Sequence, residues 1–497
     1  MQTDSKINTD MSFEDFKTEV LNDYKIAVTS RECSLLGRRE VLTGKAKFGI
    51  FGDGKEIPQL AWAKAFKAGD WRSGYYRDQT FMMAIGAMTI QQFFAGLYGH
   101  TDILAEPMSG GRQMGGHFAT PTINQDGSWK NLSELKNSSA DISPTAGQMP
   151  RLLGLAQASK VYRHAEGLEH LNHLSSKGNE VAWGTIGNAS TSEGLFWETV
   201  NAAGVLQVPM VINVWDDQYG ISVHAKYQTT KENISEILKG FQRDEKGNGY
   251  EIISVLGWDY PALIDAYQKA SDIARKEHVP VLIHVKELTQ PQGHSTSGSH
   301  ERYKNKERLD WEAAFDCNVK MRAWILDTNV ATPQELVAIE KDIKKQVRNG
   351  KKAAWEAFLA PLKQEQQQAV TLLKDVAKVS ENKNFIDLIT NELAQENEPL
   401  RRSIAGAARK VLRLVINEQN QEKENLQNWL NEYFETIQPN YSSNLYSESP
   451  VNGKTITEVL PTYNTQAEDV DARVVIRDNF DAIFSKYPEA LIFGEDA

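Results

Sequence analysis

The chain has 497 residues, of which 40% are hydrophobic and 24% are charged, the balance of a globular protein with about two to four domains. Its formal net charge of −11 argues against a general binder of nucleic acid or of anionic membranes. The cysteines, Cys33 and Cys317, form neither a CxxC pair nor a disulfide framework. This cysteine usage predicts a reducing, cytoplasmic setting.

The first third of the chain predicts helices separated by polar and glycine-rich segments. Residues 1–50 are polar and predict a mixture of helix and loop. Helical spacing of apolar residues follows at 57–71, 80–99 and 149–165, and the second of these segments is long enough for one or two buried helices. The glycine-rich stretch 105–121 separates the second segment from the third.

The middle of the chain alternates strands with helices. Apolar runs predict strands at 180–186, 209–215 and 279–288, and helical spacing predicts a helix at 192–208. Strands that alternate with helices imply an α/β fold with a doubly wound parallel sheet flanked by helices. We assign residues 1–333 to this domain.

Three further regions follow. Residues 334–437 predict a helical region, rich in Lys, Glu and Gln and almost free of glycine. Within it, the segment 399–416 predicts a packing or subunit-contact helix, because one face carries only apolar side chains: Ile404, Ala408, Val411, Leu412 and Val415. Residues 438–471 predict a linker. Residues 472–497 predict the start of a second α/β domain, with a helix and then a strand in "ALIFGEDA".

Two polar loops follow the first two predicted strands, "GTIGNASTSEG" at 184–194 and "WDDQYGIS" at 215–222. Both are expected at the carboxyl edge of the sheet, where open α/β sheets bind ligands. A helix that begins after the first loop favours an anion such as phosphate at its N-terminus. Asp217, the amide oxygen of Asn188 and the carbonyl of Tyr219 could then hold Mg²⁺ beside a diphosphate. The alternative is an ordinary strand-to-helix turn with a polar cap.

These two loops resemble the cofactor motif of thiamine-diphosphate enzymes, which begins Gly-Asp-Gly and ends Asn-Asn. The sequence is most similar to the α subunit of the decarboxylating component of 2-oxoacid dehydrogenase complexes, over roughly residues 45–330, in which five segments agree in order. The resemblance implies a thiamine-diphosphate-binding fold with thiamine diphosphate and Mg²⁺ as cofactors.

The resemblance also carries over a set of cofactor-binding residues: Tyr76, Arg77, Ser143, Thr145, Gly187, Asn188, Ala189, Ser190, Asp217, Tyr219 and His294. Tyr76 and Arg77 of "YYRDQ" would contact the diphosphate. "SPTAGQMP" at 143–150 resembles the segment under the cofactor rings, and "GRQMGGHF" at 111–118 a substrate-side loop. His294 matches the histidine near diphosphate and substrate and is the candidate catalytic residue.

The chain departs from the family motif at three positions. Asn188 stands where the family usually has Asp, and Asp217 stands where it has Asn. Because this exchange conserves one carboxylate and one amide oxygen, it predicts a working metal site at Asn188, Asp217 and Tyr219. Ala189 replaces the middle glycine, and φ < 0 would suffice there. Ser295 matches a serine that is phosphorylated in some relatives, but no regulation is predicted here.

Residues 472–497 resemble the start of the family's β subunit. The resemblance therefore implies an α–β fusion in which only the start of β is present. The glutamate that activates the pyrimidine ring comes from β in this family and would lie outside these residues. The chain would need that β half and would form a homodimer or an α2β2-like assembly.

The implied activity is the decarboxylation of a 2-oxo acid, followed by acyl transfer to a lipoyl group on an acyltransferase component. "GRQM" and "GHSTS" favour the branched-chain (2-oxoisovalerate, or 3-methyl-2-oxobutanoate) enzymes. A pyruvate or acetoin dehydrogenase of the same family is the first alternative. A non-catalytic cofactor-binding or scaffold protein is the second. A P-loop or dinucleotide binder is disfavoured, because the sequence contains neither GxxxxGK[ST] nor GxGxxG.

Overall fold

The structure is a computed structural model, and it describes residues 11–296, 298–443, 445–466 and 468–494. Its main sheet has six parallel strands in the order β2-β1-β3-β4-β8-β7. A separate antiparallel pair, β5-β6, forms a small hairpin after β4. The strands are β1 Trp71–Ser73, β2 Asn137–Ser138, β3 Ala182–Gly187, β4 Met210–Trp215, β5 Tyr219–Gly220, β6 Val223–His224, β7 Glu251–Leu256 and β8 Val281–Lys286.

Helices cover both faces of this sheet and continue beyond it along the chain. In chain order they are α1 Phe13–Leu42, α2 Glu56–Ala65, α3 Gln79–Ala84, α4 Ile90–Tyr98, α5 Gln148–His164, α6 Gly194–Leu206, α7 Ile234–Ile237, α8 Tyr260–Glu277, α9 Lys306–Ala314, α10 Cys317–Asp327, α11 Pro333–Val379, α12 Lys383–Gln395, α13 Arg401–Leu414, α14 Gln421–Ile437, α15 Pro439–Ser442 and α16 Ala472–Lys486. In the described part of the chain, no helix is long and apolar enough to span a membrane.

Successive side chains of the central strands point to opposite faces of the sheet, and a hydrophobic core lies on each face. In β3, Trp183 belongs to one core, whereas Ala182 and Ile186 belong to the other. The first core packs against α1, α2 and α8, and the second against α5 and α6. Because side chains of a strand point to opposite faces in turn, both faces must be covered. The prediction of a doubly wound parallel sheet flanked by helices is confirmed.

The predicted central elements lie close to the observed ones, and the differences are at the edges. None of β1, β2, β5, β6 and β7 was predicted from the sequence. All of these except β7 have only 2 or 3 residues and give no periodic signal, whereas β7 has 6 residues. The predicted mixture of helix and loop over residues 1–50 is confirmed for residues 11–50, which form the 30-residue helix α1 and then turns and loop; residues 1–10 lie outside the described range. The prediction of one or two helices at 80–99 is confirmed as two, α3 and α4.

A third core holds the helical region together. α13 contributes Ile404, Ala408, Val411 and, at its end, Val415 to this core, so the predicted packing face is confirmed. The 47-residue helix α11 begins at Pro333, after a Thr332 capping box. Its first half packs into the first core and its second half into the third. The boundary at 333/334 stays a prediction, and the helix that begins there joins the two cores.

The C-terminal segment contains α16, as predicted. Residues 491–494 of the predicted strand "ALIFGEDA" lie in no strand, and residues 495–497 are outside the described range. The physical reason is that a strand needs a hydrogen-bonded neighbour, and the strands of the described chain all lie between residues 71 and 286.

Candidate functional site

A cavity of about 370 Å³ opens at the carboxyl edge of the sheet, and we call it the edge cavity. Its size is that of a small-molecule site. All but one of the predicted cofactor residues line it: Tyr76, Arg77, Thr145, Gly187, Asn188, Ala189, Ser190, Asp217, Tyr219 and His294. These residues lie at the ends of β1, β2, β3, β4 and β8 or in the segments that follow them. The parallel sheet brings them together, because the carboxyl ends of parallel strands share one edge.

Ser143 is the predicted residue that does not line the edge cavity. Its hydroxyl is 2.9 Å from Nε2 of His117. His117 belongs to the "GRQMGGHF" segment and lines a second, neighbouring cavity. Gly116 of the same segment lies so close to Tyr76 that a Cβ there would come 3.1 Å from the Tyr76 carbonyl oxygen. The predicted substrate-side loop therefore packs directly against the edge cavity.

The loop after β3 turns into a short 3₁₀ turn, Ala189–Ser192, before α6 begins at Gly194. Asn188 has φ −53° and ψ −41°, and Ala189 is not among the residues with positive φ. An alanine therefore fits the turn without strain. The amide nitrogen Nδ2 of Asn188 is buried and has no hydrogen-bond partner among the described residues. A buried donor without a partner is costly, so this atom is suited to an anionic ligand in the cavity.

The loop after β4 lies directly against this turn. A Cβ on Gly220 would come 2.7 Å from the Cβ of Ala189, so only glycine allows this approach. The two acids of "WDDQ" point different ways. Asp216 pairs with Nε2 of His284 at 2.9 Å, whereas Asp217 lines the edge cavity. The two loops that the sequence placed together therefore meet, and Asp217 is the acid at the cavity.

Arg77 places a buried positive charge at the edge cavity, with only 4% of the residue exposed. Its guanidinium donates to the carbonyl oxygens of Phe51 at 2.6 Å and His294 at 3.2 Å. Among the described residues, no carboxylate lies within 4.0 Å of it. A buried cation with neutral partners favours an anion beside it, because burial weakens screening by water.

Several residues that line the edge cavity were not predicted as site residues, and Lys55 is the buried cation among them; the others include Tyr75, Glu193 and Gln228. Lys55 caps α2, is 1% exposed, and its ammonium lies 3.0 Å from Oδ2 of Asp217. Burial raises the pKa of Asp217, but the charges of Lys55 and Arg77 outweigh that effect and hold the pKa below its ordinary value. Lys55 and Asp217 are 162 positions apart. A lone lysine at such a separation carries no sequence signal for this pairing.

The predicted Mg²⁺ ligands do not form a free cation site in this arrangement. Asp217 uses Oδ2 for the Lys55 ammonium and Oδ1 for the backbone N–H of Tyr219 at 3.1 Å. Asn188 adds no negative charge. A divalent ion would meet a paired carboxylate and a buried ammonium, so these residues do not fit Mg²⁺.

His294 is half-buried in the loop after β8 and lies edge-on to Tyr76, with ring centroids 6.5 Å apart. Burial, and next the positive charge of Arg77, lower the pKa of His294 to about 4. The imidazole is therefore neutral at pH 7 and offers one donor and one acceptor. Its neighbour Ser295 is buried, and its carbonyl accepts a hydrogen bond from Arg38 at 3.2 Å.

We expect the neutral form of His294 to persist well into the acid range. Its folded pKa of about 4 lies below the ordinary 6.5, so any step that needs the neutral ring is kept as the pH falls from 7.5 to 5 and is lost only near pH 4. The measurement is the pH profile of a single turnover, with His294→Asn as the control that removes titration. An acid limb near pH 6.5 that disappears in His294→Asn contradicts this prediction.

Comparison with known proteins shows which family the chain belongs to. The family model described as "Dehydrogenase E1 component" matches residues 28–361. The 2-oxoisovalerate dehydrogenase subunit alpha of Bacillus subtilis (strain 168) is 27% identical over 326 residues, which are 64% of this chain and 87% of that protein.

Two further relatives match this chain with similar identity and over a similar length. The 2-oxoisovalerate dehydrogenase subunit alpha 1, mitochondrial, of Arabidopsis thaliana is 26% identical over 338 residues, 68% of this chain and 61% of that protein. The pyruvate dehydrogenase E1 component subunit alpha of Acholeplasma laidlawii is 24% identical over 335 residues, 67% of this chain and 83% of that protein. The matched region contains the sheet and every residue of the edge cavity. The chain therefore belongs to the dehydrogenase E1 component family, the thiamine-diphosphate-dependent 2-oxoacid dehydrogenases.

Proposed function

We propose that the chain decarboxylates a branched-chain 2-oxo acid with thiamine diphosphate bound in the edge cavity. The observation that carries the proposal is the unmatched positive charge of Arg77 at that cavity, 4% exposed and without a carboxylate partner among the described residues. A diphosphate would supply the missing negative charge. When bound, thiamine diphosphate supplies the electron sink for the loss of CO₂.

The residues of the chain would bind and orient the cofactor. Arg77 would hold the diphosphate by charge-assisted hydrogen bonds, and the free Nδ2 of Asn188 would donate to it. The N-cap residue of α6, Glu193, also lines the edge cavity, so the N-terminus of this helix, with its partial positive charge, lies at the cavity. Neutral His294 and Tyr76, which line the same cavity and contact each other, would donate or accept a hydrogen bond beside the substrate.

The neighbouring cavity brings apolar side chains close to the edge cavity. It is lined by Phe51, Met88, Phe93, Leu97 and Phe118, by the polar Gln79, Gln92 and Glu106, and by the "GRQMGGHF" segment. Its volume is about 30 Å³, room for one or two water molecules, so an isopropyl group would require these side chains to move. The preference for a branched-chain acid over pyruvate therefore rests on the relatives. The Bacillus subtilis and Arabidopsis relatives are 2-oxoisovalerate dehydrogenase α subunits, which supports the same preference.

The proposal includes transfer of the acyl group to a lipoyl group on an acyltransferase component, and a β-subunit-like half that completes the site. The names of the relatives support the second part, since each is an α subunit. A reducing, cytoplasmic setting is also part of the proposal, and the free, buried thiols of Cys33 and Cys317 are compatible with it.

A side-by-side assay of CO₂ release from 3-methyl-2-oxobutanoate and pyruvate tests the proposal, using the full-length gene product with thiamine diphosphate. The expected kcat/KM is at least about ten-fold higher for the branched substrate, the discrimination typical of a missing methylene in an apolar pocket. Arg77→Met, assayed in parallel, measures contaminating activity. A preference for pyruvate would instead support a pyruvate dehydrogenase, which the Acholeplasma relative favours. Cofactor binding without turnover of either acid would support a non-catalytic binding protein.

A further inference from the structure

Lys55 and Asp217 form a buried ion pair at the edge cavity, so the negative charge of Asp217 is balanced there. Lys55 donates to three acceptors: Oδ2 of Asp217 at 3.0 Å, the carbonyl oxygen of Thr289 at 3.0 Å and Oε1 of Gln290 at 2.7 Å. An ammonium has three N–H donors, so all of them are used. The ammonium is therefore fixed in place between α2, the loop after β4 and the loop after β8.

Two more cations lie near Asp217, and both pair with Glu312. Lys304 and Arg308 lie 2.7 and 2.8 Å from a Glu312 carboxylate oxygen. Arg308 also donates to the backbone carbonyl of Asp217 at 2.9 Å, and the two charges lie 4.9 and 5.4 Å from the ring centre of Tyr219. Burial holds the pKa of the Lys55 ammonium below its ordinary value, and the Asp217 carboxylate opposes that shift only in part. The position beside this carboxylate is already occupied by the Lys55 nitrogen, 3.0 Å from Oδ2.

A divalent ion at Asp217 would have to displace Lys55. The displaced ammonium has no second carboxylate partner among its described contacts, and it is 1% exposed, so it would remain buried beside the ion. Repulsion between the two cations opposes that state. Relative to the family motif, this chain has the amide at Asn188 and the carboxylate at Asp217. The carboxylate therefore lies 3.0 Å from the Lys55 ammonium.

We propose that the Lys55 ammonium takes the place of a divalent metal ion at the edge cavity, so that this chain binds a diphosphate without magnesium. The inference deepens the proposed function and rests on it. Arg77 carries the unmatched charge toward the diphosphate, and Lys55 neutralises Asp217 so that its carboxylate does not repel the phosphate oxygens. No metal ion is then needed to neutralise the negative charge of Asp217 next to the diphosphate.

Binding of thiamine diphosphate to the full-length gene product, measured by quenching of tryptophan fluorescence, tests the proposal. Trp215 is buried at the cavity and serves as the reporter. The expected dissociation constant changes by less than about three-fold between excess EDTA and excess MgCl₂. In Lys55→Met, binding in EDTA is expected to weaken by at least about ten-fold and to recover with MgCl₂, because Asp217 becomes an unpaired carboxylate.

Lys64→Met is the matched control, since Lys64 lies on the same helix, pairs with Asp23 at 3.0 Å and is outside the edge cavity. Its binding is expected to stay independent of magnesium. Mn²⁺ paramagnetic resonance on the unmodified protein with thiamine diphosphate gives a readout that needs no variant, and no protein-bound Mn²⁺ is expected.

Two results would overturn the proposal. Magnesium-dependent binding, or one bound Mn²⁺ per chain in the unmodified protein, would overturn the metal replacement and leave the proposed function in place. No binding of thiamine diphosphate in EDTA or in MgCl₂ would overturn the proposed function and this inference together.

Discussion

Replacing Arg77 with methionine is expected to weaken thiamine diphosphate binding by about 100-fold, since a buried, charge-assisted pair of hydrogen bonds contributes about 3 kcal/mol. The guanidinium is the one charged group of the edge cavity that combines deep burial with no carboxylate within 4.0 Å among the described residues. Its loss leaves the paired Lys55 as the nearest cation. Isothermal titration calorimetry with thiamine diphosphate gives the dissociation constants directly.

Arg38→Met is the control that separates charge from loop anchoring. Arg38 donates to the carbonyl oxygens of Gln292 and Ser295, at 2.7 and 3.2 Å, and so anchors the His294 loop as Arg77 does, but it does not line the edge cavity. We expect its dissociation constant to stay within about three-fold of the unmodified protein. An equal loss in both variants would mean that loop anchoring, and not the charge of Arg77, sets the affinity.

Replacing Arg72 with methionine is expected to destabilise the sheet domain by about 3–5 kcal/mol, the cost of removing one partner from a buried ion pair. Arg72 is fully buried and bonds to Asp78 at 2.9 Å and to both carboxylate oxygens of Asp141 at 3.0 and 2.9 Å. It also donates to Ser138 and to the carbonyl of Tyr75. These contacts hold the segments that carry Tyr76, Arg77 and Thr145, so the edge cavity depends on them. Urea unfolding measures the change.

The same variant should recover stability as the pH falls. Burial raises the pKa of Asp78 above its ordinary value, and Arg72 opposes that rise. Without Arg72 the folded state binds the proton more tightly than the unfolded state does, so the loss in unfolding free energy is smaller at pH 5 than at pH 8.

Arg151→Met is the control for the loss of a partly buried arginine near β1. Arg151 contacts Ser73 at 3.4 Å and forms no ion pair within 4.0 Å among the described residues. We expect its unfolding free energy to change by less than about 1 kcal/mol. A loss in Arg72→Met no larger than in this control would show that the buried ion pairs do not hold the loops.

Much of the fold followed from sequence periodicity. The apolar runs at 180–186, 209–215 and 279–288 are β3, β4 and β8 within one or two residues at each end. They are buried on both faces, and such strands read as continuous apolar runs. β1 and β2 are too short to give that signal, and their place at the edge of the sheet depends on contacts distant in sequence. "ALIFG" has the composition of a strand but forms none in the described residues.

The sequence by itself determined which loops carry the site, because the order of strands and helices places the segments after β3 and β4 at one edge. It also determined that Asp217, rather than Asn188, brings the acid. What only the tertiary structure decided is the charge state of that site. Lys55 reaches Asp217 across 162 positions, and Asp216 turns away to His284. The packing of α2 against the sheet brings Lys55 to Asp217, and the local sequence around either residue does not predict this contact. The carboxylate of the cofactor motif is therefore present at Asp217, and Lys55 already pairs with it.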